Sequence, residues 1–418
     1  MTQTNSSTVN QPIDFEALPL PFHQAPALIQ TLVKQLPDCW QQTAALALLP
    51  ALSVACGNIS YGADNKPLAF HVALYGRNGT GKSQFSCKPA RVVQNYLARN
   101  DDANFDTDNK ATSSPRVLGF QISTVQLCKY LKKSPNETVM LYTDEISQSI
   151  GNERSSNSFM SLHDLLRSAY DGVEYIQTFK DKDSFRGTLK PRLSFLACGT
   201  PNSIFKYFDA KAIESGTTRR VIFVEHPRYE EIIDDVAYTE EQLDYIKQEI
   251  EWLEMQSGKV HLPSIEEAVL KWREDKLASI DMKDVVMRDM VNTPYDTFRR
   301  AAYLAWVLNH HEDVNNAIAF GEWVAEYMFR SALFHTYPQQ HAIAEEGQKH
   351  FAQSSQTVFE DFNQTMLNNL PMRFSWQDVL AYRKDHNYSG AHKSRVILTR
   401  WKNRGKIKQI KRNTFIKL

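Results

Sequence analysis

The most specific chemistry in this 418-residue chain lies in eight consecutive residues, Gly76-Arg77-Asn78-Gly79-Thr80-Gly81-Lys82-Ser83. Glycines at these intervals let the backbone curl until its N–H groups converge on an anion. A lysine and a hydroxyl residue directly after the last glycine suit the terminal phosphates of a nucleotide and a Mg²⁺ ion. The spacing predicts a phosphate-binding loop in which Gly76, Asn78, Gly79, Thr80, Gly81, Lys82, Ser83 and Gln84 surround ATP, with Ser83 also on the metal. The apolar run Val72–Tyr75 predicts a strand leading into the loop. A helix is predicted from Lys82 to Leu97, its positive end facing the same anion.

A second apolar run, Val139–Thr143, ends in Asp144-Glu145. An aspartate at a strand end can hold Mg²⁺ beside Ser83, and a glutamate directly after it can polarise an attacking water. Asn202 follows a third apolar run, Leu193–Cys198, and is a candidate to orient that water; Thr200 competes with it, and a plain turn role is the alternative. Arg219 and Arg220 precede the run Val221–Val224 and could reach the γ-phosphate of a neighbouring subunit, or stand as a surface pair. Arg299 and Arg300 read as a solvated helix face rather than a second phosphate sensor. His310-His311 reads as a helix end, for want of spaced carboxylate or thiol partners.

The elements that must position these groups alternate. Strands at 72–75, 117–122, 139–143, 193–198 and 221–224 are interleaved with helices, which predicts an α/β fold with a mostly parallel sheet, of the additional-strand P-loop NTPase type. Two helices precede it, Ala27–Leu36 and Trp40–Cys56, the second apolar on most sides and carrying Pro50. Asn58–Tyr75 reads as a hairpin, and the polar stretch Asn100–Pro115 as an exposed loop. From Asp234 onward the pattern turns helical, with capping signatures at Thr239–Gln242 and Ser264–Glu267 and apolar helices at Phe298–Leu308 and Ala317–Phe334. The expected division is a disordered tail (1–20), an N-terminal helical segment (21–65), the ATPase core (66–233), a helical domain (234–354) and a C-terminal module (355–418).

That last module has the order helix, helix, turn, helix, hairpin, which is the order of a winged helix. Equal numbers of basic and acidic residues, 48 each, conceal an asymmetry: between His386 and Leu418 there are ten Lys/Arg and no Asp/Glu. Lys393, Arg395, Arg400, Lys402 and Arg404 fall on the third helix, and Lys406, Lys408, Lys411 and Arg412 on the hairpin. Val396, Ile397 and Trp401 are expected to pack inward. A basic end on an acidic body predicts an anionic partner, DNA, with a basic solvated tail or a protein-docking module as the alternatives. Five scattered cysteines argue against a disulfide framework or a zinc site. The most apolar run, Thr43–Cys56, is too short to span a bilayer, and the N-terminus has no signal-peptide pattern, so the expected location is cytoplasmic.

Over about residues 35–335 the chain resembles the uncharacterised P-loop ATPases of prophages and integrative elements, which often occur beside or fused to primase domains. The resemblance is carried by GRNGTGKS, by Tyr142-Thr143-Asp144-Glu145 and by Leu165-Leu166-Arg167-Ser168-Ala169-Tyr170-Asp171-Gly172. It continues through Lys190-Pro191-Arg192-Leu193-Ser194, Ser215-Gly216 with Arg219-Arg220, and Asn316-Ala317-Ile318. These proteins are similar to ring-forming replicative helicases. The resemblance therefore implies a DNA helicase or loader for a mobile element, assembled as a homo-oligomer such as a hexamer, with Arg219 or Arg220 as the finger. A primase would be a separate partner, since none fits before the loop strand. A nucleotide-switched regulator or defence ATPase, whose C-terminal module reads an operator or a protein, is the alternative.

Overall fold

The computed structural model describes residues 18–97, 116–133, 135–148, 161–178, 185–229, 235–342, 344, 363–385, 391–411 and 413–418. The chain separates into two compact units, 1–341 and 342–418. The expected loop at 100–115, the turn at 387–390, most of the expected tail at 1–20 and Arg412 lie outside the described residues.

The first unit opens with α1 (Ala27–Val33) and α2 (Asp38–Ala55). Pro50 sits inside α2, which is buried around nearly its whole circumference. A short hairpin follows, β1 (Asn58–Tyr61) and β2 (Lys66–Pro67), and then β3 (His71–Tyr75). Next come α3 (Lys88–Leu97), β4 (Val117–Gly119), α4 (Thr124–Lys133) and β5 (Val139–Thr143). Helix α5 (Leu162–Asp171) leads to a second hairpin, β6 (Tyr175–Thr178) and β7 (Arg186–Leu189), and then to β8 (Leu193–Gly199). Two short helices, α6 (Pro201–Tyr207) and α7 (Ala210–Glu214), precede β9 (Ile222–Glu225).

Among the described residues the main sheet has five strands, ordered β4-β5-β8-β3-β9, and every pairing is parallel. Parallel strands must be covered on both faces, and alternate residues divide accordingly. Val72, Leu74, Leu196, Cys198, Ile222 and Val224 pack toward α1, α2 and α3. Ala73, Leu141, Phe195, Ala197 and Phe223 pack toward α4, α5 and α6. The fold is therefore α/β, as the alternating pattern predicted.

The helical stretch comprises α8 (Glu240–Met255), α9 (Pro263–Ser279), α10 (Val285–Met290), α11 (Asn292–Leu308) and α12 (Val314–His335), with strand β10 (Ser257–Val260) after α8. It shares one continuous apolar core with α1, α2 and one face of the sheet. Strand β10 pairs in parallel with β1. At Gly321 a Cβ would come within 2.7 Å of the Ala302 Cβ, so glycine is what allows α11 and α12 to pack so closely. Thr239 and Gln242 form the predicted capping box. The signature at Ser264 does not cap: α9 begins earlier, with Pro263 in its first turn and Leu262 at the N-cap, which places Ser264 inside the helix.

The second unit contains a helical segment at 363–369, β11 (Arg373–Ser375), α13 (Trp376–Asp385), α14 (Ala391–Asn403), β12 (Ile407–Lys411) and β13 (Thr414–Lys417). Its antiparallel sheet runs β11-β13-β12. Met366, Leu370, Phe374, Val379, Ile397, Trp401 and Phe415 form its core. Val396, expected inside, is 45% exposed; Leu398 takes the inward position instead.

Candidate nucleotide site

The loop 76–83 leaves the C-terminal end of β3. Gly79 and Gly81 adopt φ of 76° and 83°, a region that side chains rarely enter. The Lys82 side chain folds back over the loop, and its Nζ donates to the carbonyls of Gly76 and Arg77, both at 2.9 Å. Thr80 Oγ1 donates to the Arg77 carbonyl at 2.8 Å. Asn78, Gly79 and Gln84 are exposed, and Ser83 is half-buried with its carbonyl taking a hydrogen bond from Arg91. The helix expected from Lys82 starts later. The Cys87 amide bonds back to the Lys82 carbonyl, five residues away, so residues 82–87 are turns and regular helix begins at Lys88.

The neighbouring strand ends meet at the same edge. Strand β8 lies between β3 and β5, with Tyr75 in register with Gly199 and Thr143 with Ala197. The Gly76 amide donates to the Gly199 carbonyl at 3.3 Å, and the Ile146 amide to the Cys198 carbonyl at 2.8 Å. These bonds bring the glycine loop and the Asp144-Glu145 corner to opposite sides of one strand. Asp144 is exposed and accepts from the Tyr142 hydroxyl. Glu145 is half-buried, and its carboxylate accepts from the Ser147 amide at 3.2 Å. Beneath the edge, Cys198 and Cys87 bring their sulfurs to 3.2 Å. The Cys87 thiol and burial push the Cys198 thiol up; Asp144 adds to the rise and Lys82 opposes it, so one sulfur feels both charges.

Asn202 is exposed in the first turn of α6, at this edge. Thr200, its competitor, is the N-cap of α6 and is engaged with Ser203 in a capping box. The hydroxyl of the half-buried Ser83 and the exposed Asp144 carboxylate are oxygen donors that suit a hard cation such as Mg²⁺ completed by water and phosphate oxygens. Among the described residues no group of three His, Cys, Asp or Glu side chains converges into an all-protein cage.

The two adjacent arginines differ. Arg220 is clamped by Asp171, with Nε to Oδ1 at 2.9 Å and Nη2 to Oδ2 at 2.6 Å, and its Nη1 donates to the Gly216 carbonyl at 2.6 Å. Arg219 is exposed. Although its surface is open to solvent, the protein packed against one side desolvates the guanidinium in part, and that partial desolvation, followed by Arg220 beside it, lowers the Arg219 pKa. Arg300 overturns the solvated-face expectation. It is fully buried and donates to the Tyr61 hydroxyl, the Ala69 and Tyr170 carbonyls and Asp296, while its guanidinium lies 3.8 Å from the Tyr170 ring centroid. Arg299 pairs with Glu266 at 2.8 Å. His310 Nε2 sits 3.0 Å from Glu249, in a turn with positive φ at His310, His311 and Asp313.

One residue at the edge escaped the sequence reading. His226 directly follows β9 and is 2% exposed. It contacts the glycine loop at several points, and only its position after a buried strand could have suggested it.

In the second unit Arg395, Arg400, Lys402, Arg404, Lys408 and Lys411 are exposed. Arg395 stacks over Trp376, 5.6 Å from the ring centroid. Lys406 is half-buried and donates to Gln364. Lys393 lies on α14, its side chain outside the described residues.

No protein-family model matches the chain, and no curated protein matches its sequence. Among the described residues no helix is long and apolar enough to cross a membrane.

Proposed function

We propose that this chain is an ATP-hydrolysing, DNA-binding protein, a ring-forming helicase or loader serving the replication of a mobile element. The observation that carries the reading is the meeting of GRNGTGKS and Asp144-Glu145 at one sheet edge, with β8 between their strands. That order supports the additional-strand type of P-loop NTPase. Lys82 and the loop amides would hold the phosphates, Ser83 and Asp144 the Mg²⁺, which when bound offsets charge on the phosphate oxygens. Glu145 would polarise the attacking water, with Asn202 orienting it. The exposed Arg219 fits a finger acting on a neighbouring subunit, and the clamped Arg220 fits a support for it.

The order of elements in the second unit supports a winged helix, and its exposed lysines and arginines suit duplex or forked DNA. The deciding experiment measures ATP turnover alone, with single-stranded DNA and with duplex DNA. Strong stimulation by DNA is expected. Slow, unstimulated turnover with tight binding to one sequence would point to a nucleotide-switched regulator.

A further inference from the structure

His226 is held against the glycine loop and the residues that flank it. Its backbone amide donates to the Tyr75 carbonyl at 2.7 Å, which continues the β3–β9 pairing by one residue. Its ring Nε2 is 2.8 Å from the Thr80 carbonyl and its Nδ1 is 2.9 Å from the Ser86 hydroxyl. A Cβ at Gly76 would lie 3.1 Å from the His226 Cβ, so that glycine and the histidine backbone are in close contact. The ring is stacked on Trp40 at 4.8 Å, and Trp40 in turn stacks on Phe85 at 4.9 Å.

The tautomer follows from the partners. Burial, with a smaller contribution from Lys82, pushes the His226 pKa down to about 4 against the opposing effect of the Thr80 bond, so the ring is neutral near pH 7. A neutral imidazole has one N–H. A carbonyl can only accept, so Nε2 carries the proton and donates to Thr80, while Nδ1 accepts from Ser86. A trans peptide is planar, with its C=O and N–H pointing in opposite directions. The Thr80 carbonyl and the Gly81 amide belong to the same peptide. Holding the carbonyl against His226 turns the Gly81 N–H away from His226. Gly81, with φ of 83°, has no side chain of its own to limit that peptide, and the Thr80 side chain is bonded to the Arg77 carbonyl, so the His226 bond is the restraint that acts on the Thr80 carbonyl itself from outside the loop.

We infer that His226 is a positioning residue of the nucleotide site, which fixes the Thr80–Gly81 peptide so that the Gly81 amide is preset to donate to a bound phosphate. The inference rests on the ATP reading of this loop. It assigns His226 no contact with the nucleotide; its action passes through the backbone.

The test titrates the full-length chain with a fluorescent ATP analogue and Mg²⁺, with thermal unfolding and steady-state turnover alongside. His226→Phe keeps the aromatic stack but loses the N–H donor. It should bind the analogue about 10-fold more weakly, the effect of one misdirected hydrogen bond. KM for ATP should rise by a similar factor while kcat changes less. His226→Gln, whose side-chain amide can again donate to Thr80, should recover most of the affinity. His226→Phe that folds and binds like the wild type overturns the inference, as does His226→Gln that folds but binds no better than His226→Phe. If His226→Phe does not fold, Ser86→Ala carries the test: the ring loses the bond that orients it, a several-fold loss of affinity is expected, and unchanged affinity overturns the inference. A wild-type chain that binds no nucleotide overturns the ATP reading and the inference together. Wild-type binding with unaffected variants overturns the inference alone.

Discussion

Asp171 holds Arg220 by both carboxylate oxygens, at 2.9 and 2.6 Å, while the next residue back in the chain, Arg219, is exposed. A guanidinium engaged in this way is already paired within its own subunit, and its neighbour is the one placed to reach outward. The adjacent arginines should therefore fail differently. Arg219→Ala should keep its melting temperature and ATP binding and lose turnover by about 10³-fold or more. Arg220→Ala should lose stability, about 1–2 kcal/mol given that the Asp171 partner is partly exposed. Differential scanning fluorimetry and turnover on both variants check this. Equal stability loss in the two would contradict the distinction.

Lys82→Ala should abolish or nearly abolish nucleotide binding. Glu145→Gln should bind and fail to hydrolyse, because in the proposed site Lys82 would clamp phosphate and Glu145 would act on water. Equilibrium binding beside phosphate release separates the two defects, and normal hydrolysis by Glu145→Gln would remove that residue from its role. Mixing Glu145→Gln with Arg219→Ala should restore part of the turnover if the finger acts across subunits. Co-assembly without recovery would argue for action within one chain.

Arg300→Met should destabilise the first unit by about 3–5 kcal/mol. The substitution leaves the largely enclosed Asp296 with weaker partners and strips donors from the Tyr61 hydroxyl and two carbonyls. Urea unfolding gives the value. A loss under 1 kcal/mol would mean the cluster is solvated in solution.

Stability should fall on acidification. Burial depresses His71 to about 3 and His226 and His335 to about 4. The unfolded chain, with histidines near 6.5, then binds more protons than the folded one between these values. Above about pH 6.5 these groups cost nothing. Below it each removes up to about 1.4 kcal/mol per pH unit until its folded pKa is reached. The urea midpoint at pH 5 should be well below that at pH 7, and His71→Gln should flatten the dependence.

The second unit should be separable by a cut near Ala342 but not near Pro371. Met366, Leu367 and Leu370 belong to its core and would be stranded by the later cut. Chain 1–341 should retain turnover and lose DNA affinity, and the lost part should fall steeply with salt as phosphate contacts release counterions. Filter binding at several salt concentrations measures it; equal binding by both forms would assign the unit another role.

Much of the first unit was legible because its signals are local. Strands of the main sheet are short apolar runs, Thr239 caps α8 as its spacing predicts, and Pro50 did not prevent a buried α2. The rest depends on partners far away in sequence. Ser257-Gly258-Lys259-Val260 is mostly exposed and has poor strand propensity; it becomes β10 because β1 offers an edge. Arg300 looks like any helix arginine until Tyr61, Ala69 and Tyr170 are seen around it. One local feature is hidden as well: α3 starts at Lys88, later than the sequence suggests, because a backbone bond between Cys87 and Lys82, five residues apart, makes 82–87 a turn.

The β1–β10 pairing also constrains how the chain is made. Asn58 pairs with Ser257, which the ribosome adds roughly 200 residues later. At about 5–20 residues per second that delay is roughly 10–40 s. During it one edge of β1 lacks its neighbour, and the site that will receive Arg300 still holds unmatched acceptors from Tyr61 and Ala69. The nascent N-terminal part therefore cannot close its final structure until residues 257–300 have been made, however early its helices form. A chain arrested before residue 257 should be protease-sensitive and chaperone-bound, whereas one released after the α11–α12 pair should resist digestion.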